Sequence, residues 1–396
     1  MPTELVTGNH VAGYALSVSG EANRTARGAV CGIYPITPQT EIVEYVAKFP
    51  FSKGRVVPVE SEHSAMGVSI GASLAGARSF TASSSNGLAY MVENIMVAGF
   101  YRLPIVMVAV NRTLGPPWNI WVDQGDTLML RDFPWLQFYC ESNQEVLDTT
   151  LLAFRLAEDH RVLLPTLVAM DAFIVSHTQS ETVLPEQALV DDYLPGLDLP
   201  QRMRADKPTT MGGLAWPHET LSHRLEVDEA MRRVPDVFED CRRSFRKTFG
   251  RDPGAAIQTF ETEDADTILV ATGTIATTAR EVVRRRRADG EKVGLLKIKM
   301  FRPFPEEAIR AACRTASRIG VIDRNYAAGI GGVFWQDLRA AFQGRRNDLI
   351  IQDYLAGIGG GDVTPNILDE VLADLALRSQ AEAPRWMGID TRQEVH

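Results

Sequence analysis

The feature that most constrains the fold is a repeated change of period along the chain. Short β-rich apolar runs at 29–36, 55–59, 79–83, 103–110 and 166–170 alternate with helical patterns at 39–49, 64–77 and 87–99. Ser142-x-x-Glu145 adds a capping box for an amphipathic helix running to about Asp159. Alternation of this kind predicts an α/β fold, with a largely parallel, doubly wound sheet covered on both faces. From 179 to 264 the pattern is lost. A Pro-, Asp- and Leu-rich stretch at 185–200, Met211-Gly212-Gly213 and Trp216-Pro217-His218 precede a charged helix at 227–248. Alternation then resumes, with strands at 267–272, 293–298 and 318–322 and helices ending at 287 and spanning 305–315. The expected organisation is one α/β domain over 1–178, a connecting arm over 179–264 and a second α/β domain over 265–396. A chain of 396 residues is long enough for two cores.

Open α/β sheets bind ligands at the carboxyl ends of their strands. Three such ends carry chemistry: Tyr34-Pro35-Ile36-Thr37-Pro38, Glu60-Ser61-Glu62 and Asn111-Arg112. A hydroxyl, an acid suited to proton traffic and a guanidinium able to grip a carboxylate together describe a site for a small organic anion. Each also has a plain structural alternative. Thr37 can cap a helix, Glu62 can sit at a helix N-terminus for the macrodipole, and Arg112 can make a surface ion pair. His63 beside Glu62 reads as a hydrogen-bonded structural histidine.

Other features narrow the classes. A net charge of −9 argues against nucleic acid as a main partner. Apolar runs are strand-length, so no membrane span is expected, and the N-terminus lacks the marks of a signal peptide; the expected location is cytoplasmic. Cys31, Cys140, Cys241 and Cys313 stand singly, without spacing for a metal, a cluster or a redox pair. Gly357-Ile358-Gly359-Gly360-Gly361 and Gly329-Ile330-Gly331-Gly332 both miss the dinucleotide fingerprint, so they read as tight turns. Arg284 to Arg287 read as the solvated face of a helix end, with docking to an acidic partner as the alternative.

Taken in order, these segments resemble the α subunit of the thiamine-diphosphate-dependent 2-oxoacid:ferredoxin oxidoreductases, most of all the pyruvate-type branch. The resemblance runs through Gly8-Asn9 and Ala12, the three strand ends above, and Asn119-Ile120-Trp121. It continues through Gln137-Phe138-Tyr139-Cys140, Ser176-His177-Thr178, Met211-Gly212 and Phe301-Arg302-Pro303-Phe304-Pro305. It implies a pyrimidine-binding domain followed by a transketolase C-terminal-like domain. By carry-over, Glu62 matches the glutamate that bonds N1′ of the aminopyrimidine and so activates the cofactor. Arg112 matches the holder of the substrate carboxylate, Thr37 a hydroxyl beside cofactor and substrate, and Asn86 a cofactor contact. The family's reaction is coenzyme A-dependent oxidative decarboxylation of a 2-oxoacid, with electrons passed to [4Fe-4S] clusters. No diphosphate and magnesium motif and no ferredoxin-like cysteine spacing occur in this chain. The resemblance therefore implies a β subunit holding diphosphate and magnesium, a γ subunit, a ferredoxin-like cluster subunit and, as an option, an NAD-reducing subunit. This chain itself is expected to bind no metal and to be inactive alone.

Departures from the pyruvate-type pattern gather near Pro38 and the expected substrate pocket: Asn86, Tyr90, Trp118, Gln124 and Gly125. Smaller side chains at 86 and 125 with aromatic walls at 90 and 118 favour a substrate bulkier than pyruvate, such as phenylglyoxylate, over pyruvate itself. Two rival functions are a nicotinamide-dependent oxidoreductase using the glycine turns and a non-catalytic scaffold subunit.

Overall fold

A computed structural model describes residues 2–389; Met1 and 390–396, the last part of the expected second domain, lie outside the described residues. The first unit contains β1 (Thr3–Thr7), α1 (Gly8–Glu21), β2 (Ala29–Ile33), α2 (Thr40–Lys48), β3 (Gly54–Pro58), α3 (Glu62–Leu74) and β4 (Arg78–Ser83). It continues with α4 (Ser85–Tyr90), α5 (Val92–Phe100), β5 (Val106–Asn111), α6 (Gly125–Leu128), β6 (Leu136–Cys140), α7 (Asn143–Ala157) and β7 (Thr166–Asp171). The arm carries β8 (Gln179–Val183), α8 (Gln187–Tyr193), α9 (Pro217–Phe249) and β9 (Ile257–Phe260). The rest comprises β10 (Thr267–Ala271), α10 (Ile275–Ala288), β11 (Val293–Ile298), β12 (Met300–Arg302), α11 (Glu306–Ala312) and β13 (Arg318–Asp323). It ends with α12 (Val333–Phe342), β14 (Ile350–Leu355), α13 (Pro365–Leu377) and β15 (Arg385–Trp386).

The first sheet has the order β12-β6-β7-β5-β4-β2-β3 and the second β15-β14-β13-β10-β11-β9. Both are parallel apart from the edge strands β12 and β9, which pair antiparallel with β6 and β11. Strands β4, β5, β6 and β7 are buried along their whole length, as expected of a parallel sheet covered on both faces. The sheets do not follow the segment boundaries read from pattern alone. Strand β9 lies in the stretch read as an arm yet joins the second sheet, while β12 crosses back to edge the first. One apolar cluster runs through both units, from Met107 and Tyr139 to Phe301, Phe334 and Trp335, so they pack as one body.

Several elements escape the sequence pattern for physical reasons. Helix α1 is buried almost all round, so it shows no amphipathic stripe. Strand β6, Leu-Gln-Phe-Tyr-Cys, is buried at all five positions, so it lacks the alternation of a half-buried strand. The helix expected over 87–99 is two helices, broken at Met91. The Ser142 hydroxyl accepts the Glu145 N–H as the capping box requires, but the Glu145 carboxylate turns instead to the Glu141 N–H and to Lys297. Arg284 to Arg287 are partnered within the chain: Arg284 with Glu281, Arg285 and Arg286 with Asp369 of α13, and Arg287 with Asp264. All four cysteines are buried and unpaired.

Candidate active site

The carboxyl end of the first sheet brings Thr37, Glu62 and Arg112 to one edge, each by a local device. Thr37 lies in the turn between β2 and α2. Asn9 pins that turn from below, its Nδ2 donating to the Pro38 carbonyl and to Glu41 Oε2, both at 2.7 Å. Gln39 Nε2 donates to the Tyr34 carbonyl at 2.9 Å. Pro38 is therefore buried beneath Thr37, which is exposed. Glu62 opens α3 behind the N-cap Ser61, whose hydroxyl accepts the Ser64 N–H at 3.3 Å. Arg112 ends β5. Its Nη1 donates to the Thr37 carbonyl at 2.8 Å and its Nε to the Asn119 carbonyl at 3.0 Å. Of the three groups singled out in the sequence, Thr37 and Arg112 are thus joined directly, while Glu62 makes no bond to either.

Glu62 is 7 % exposed, and none of the described residues hydrogen-bonds its carboxylate. The carboxylate rests on Gly87, where a Cβ would come within 2.6 Å of both Glu62 Oε1 and the unpartnered Ser83 Oγ. Its oxygens are not among the sealed unpartnered atoms of the structure, so the carboxylate stays accessible to a hydrogen-bonding ligand. His63 turns away from it, toward Glu93 at 3.7 Å. Arg112 lines an open cleft of about 370 Å³ with Trp118, Asn119, Ile120 and Trp121. Burial pulls its guanidinium below the ordinary value and Asp126 opposes this; it stays charged. Larger hollows of about 490 Å³ near Tyr101 and about 540 Å³ near Phe304 bring together none of Thr37, Glu62 and Arg112.

Other positions fall differently. Asn86 is half-buried and its Oδ1 accepts the Gly115 N–H at 3.0 Å, so it holds the loop after Arg112. Gln124, fully buried, does not face the cleft; its Nε2 donates to Asp171 at 3.2 Å, in a network with Arg324 and Thr274 of the second unit. Gly125 begins α6, its N–H on Asp123 Oδ1 at 2.7 Å. Trp118 is 70 % exposed and folds onto Gly115 of its own loop; Tyr90 is exposed on α4.

Sequence reasoning missed Asp126. This buried carboxylate accepts N–H groups from Ser85 (2.9 Å), Arg112 (3.0 Å), Thr127 (2.8 Å) and the Asn111 side chain (2.8 Å). It therefore joins the ends of β4 and β5 to α6. Burial pushes its pKa up to about 7, but all four partners donate, a geometry that only the ionised acid satisfies in full. Its donors come from three separate segments, so no local spacing announces it. Asn119 stands in the motifs quoted from the sequence, but its role does not, because its partner Gly359 is 240 positions away.

The glycine turns offer no dinucleotide site at α12. Its N-terminal N–H groups are taken by the chain's own side chains: Phe334 and Trp335 by Asp323, Val333 by Asn325, and Gly332 by Asp353. A pyrophosphate would compete with two buried carboxylates there, which counts against the nicotinamide alternative. Among the described residues no helix is long and apolar enough to cross a membrane.

Comparison with known proteins gives the family. A family described as pyruvate flavodoxin/ferredoxin oxidoreductase, thiamine diphosphate-binding, matches residues 21–243, and pyruvate:ferredoxin oxidoreductase core domain II matches 265–368. Pyruvate synthase subunit PorA of Methanothermobacter thermautotrophicus is 40 % identical over 94 % of this chain and 97 % of its own length. Ketoisovalerate oxidoreductase subunit VorA of Pyrococcus horikoshii is also 40 % identical, over 94 % of this chain and 93 % of its own. Among solved structures, the 2-oxoglutarate:ferredoxin oxidoreductase of Magnetococcus marinus superimposes with a TM-score of 0.70 at 21 % identity, over 94 % of this chain and 65 % of that one. A split-gene transketolase gives a TM-score of 0.56 at 12 % identity over 93 % of this chain and 98 % of that one, a likeness of fold. The chain therefore belongs to the 2-oxoacid:ferredoxin oxidoreductases, as an α subunit of the pyruvate-type branch that acts with partner subunits.

Proposed function

We propose that this subunit builds the aminopyrimidine half of a thiamine diphosphate site and holds the carboxylate of pyruvate, or of a similarly short aliphatic 2-oxoacid, for oxidative decarboxylation to acyl-coenzyme A. The observation that carries this reading is the largely buried Glu62, its carboxylate unbonded among the described residues and resting on Gly87, at the same sheet edge as Arg112 and Thr37. The donor set fits the cofactor: Glu62 would accept a pyrimidine N–H, while Gly87 leaves a flat approach beside Ser83. When bound, the cofactor supplies the carbanion and the electron sink for decarboxylation. The chain's own residues do the rest. Glu62 holds a proton at the pyrimidine nitrogen, Arg112 orients the substrate carboxylate, and Thr37 offers a hydroxyl beside it. Asn86 fixes the loop that frames them.

The aromatic-substrate expectation gives way here. The relatives are named for pyruvate and ketoisovalerate; Trp118 lines the Arg112 cleft but is 70 % exposed, and Tyr90 is not part of that lining. Exposed Trp118, Ile120, Trp121 and Ile174 around this edge support a partner subunit docking there, bringing the diphosphate and magnesium site. Coenzyme A as acyl acceptor and cluster-bearing subunits as electron acceptors complete the proposed complex. The test is anaerobic acceptor reduction by the natively purified complex, offered pyruvate, 2-oxoisovalerate and phenylglyoxylate in turn. Turnover led by pyruvate, abolished by Glu62→Gln without loss of assembly, supports the reading. Full activity of Glu62→Gln would leave a scaffold, and turnover of phenylglyoxylate alone would restore the aromatic pocket.

A further inference from the structure

The Gly357–Gly361 turn follows β14 in the second sheet and lies against the loop that carries Arg112. Asn119 is the joint between them. Its Nδ2 donates to the Gly359 carbonyl at 2.9 Å, its Oδ1 accepts the Trp121 N–H at 2.5 Å, and its own carbonyl accepts Arg112 Nε at 3.0 Å. The loop closes on itself where Thr113 N–H meets the Trp121 carbonyl at 3.0 Å. Gly360, at φ +88°, makes the contact possible: a Cβ there would lie 2.2 Å from Trp121 Cβ. The far end of the loop is tied to the same unit by the Gln124 N–H on the Arg324 carbonyl at 3.0 Å.

We infer that the Gly357–Gly361 turn is a positioning element for substrate recognition, acting through Asn119 on the guanidinium of Arg112. A guanidinium has five N–H donors. Two of them, on Nε and Nη1, are spent on the Asn119 and Thr37 carbonyls, which lie on separate segments and fix the guanidinium plane before substrate arrives. The remaining donors then face the cleft in a set direction, so a bidentate grip on a carboxylate costs little further ordering. The turn's glycines serve this approach, which no dinucleotide fingerprint explains. The inference rests on the reading of Arg112 as the carboxylate holder.

The test compares Asn119→Asp, Gly360→Ala and Arg112→Ala in the natively assembled complex. Asn119→Asp keeps the acceptor for Trp121 N–H and the carbonyl for Arg112 but adds a negative charge to the carboxylate cleft, so its shift counts only where Gly360→Ala, which adds no charge, shows it too. The readouts are KM and kcat for pyruvate, calorimetric binding of oxamate (an inert isostere of pyruvate), thiamine diphosphate content and KM for coenzyme A. Loss of one ordering hydrogen bond should raise both the pyruvate KM and the oxamate Kd roughly 3- to 10-fold. The kcat, cofactor content and coenzyme A KM should hold, since uniform binding is what is lost. Oxamate binding unchanged in Asn119→Asp, with Arg112→Ala impaired, overturns the positioning role and leaves the Arg112 reading standing. Oxamate binding unchanged in Arg112→Ala overturns that reading and the inference with it. A parallel fall in cofactor content in Asn119→Asp shows a general structural defect and also overturns it.

Discussion

Exchanging Glu145 for glutamine tests how the two units are held together. Glu145 opens α7 in the first unit and is 9 % exposed. Its oxygens accept Lys297 Nζ at 2.8 and 2.7 Å, the Glu141 N–H at 2.7 Å and Gln258 Nε2 at 3.3 Å, with Lys299 Nζ at 3.7 Å. Both lysines are fully buried. Glutamine keeps the bulk and one acceptor but removes the charge that compensates them. Breaking a buried pair costs about 3–5 kcal/mol. Glu141, 3.1 Å from Lys297, retains part of the compensation, so about 3 kcal/mol is the working figure. An unfolding entropy of about 2.1 cal/mol/K per residue gives roughly 0.8 kcal/mol/K for 396 residues, hence a Tm lower by about 4 °C. Burial raises the Glu145 carboxyl, but Lys299 and Lys297 outweigh it and hold it below its ordinary 4.5. The stabilisation is therefore full above the unfolded-state value and is lost as pH falls through the folded value. Calorimetry at pH 7 and near pH 4 should show the gap between wild type and variant shrinking on acidification. A Tm within about 1 °C of wild type at pH 7, or a gap indifferent to acid, refutes the argument. Exchanging both partners, Glu145→Met with Lys297→Met, should recover part of the loss, because no lone charge remains in that pair.

Three further outcomes are expected. Asp126→Asn places an amide where only acceptors fit, so kcat/KM for the 2-oxoacid should fall roughly 10- to 100-fold through misplacement of Arg112 and Ser85, read by steady-state kinetics alongside cofactor content. Arg112→Lys cannot keep both carbonyl contacts and a bidentate grip; losing one charge-assisted bond of about 1.5–3 kcal/mol should raise the pyruvate KM roughly 10- to 150-fold. Asp353 is held up at about 6 by burial, against an ordinary 3.8. Its native carboxyl keeps its proton where the unfolded one has lost it, so stability should fall as pH rises from about 4 through about 6. Asp353→Asn, which cannot ionise against the neighbouring Asp323, should flatten that slope in thermal melts.

Much of the site was legible because its chemistry sits at strand ends. Strand-to-helix switches after β2, β3 and β5 place Thr37, Glu62 and Arg112 at one sheet edge, and the ordered motifs carry the family. The substrate pocket was not legible in the same way. Gln124 and Trp118 follow Arg112 within a dozen residues, but one is drawn to Asp171 and the other folds onto its own loop. Adjacency fixes distance along the chain and says nothing of which way a side chain turns.

The sequence by itself determined the alternating α/β plan, the strand ends that carry Thr37, Glu62 and Arg112, and the family, since periodicity and motifs are written in short stretches of chain. Tertiary structure alone decided that β12 returns to the first sheet, that Asp126 gathers donors from three segments, and that the Gly357–Gly361 turn meets Asn119. Those contacts join residues up to 240 positions apart. They form because buried polar groups must find partners wherever packing leaves them, and no local pattern records that search.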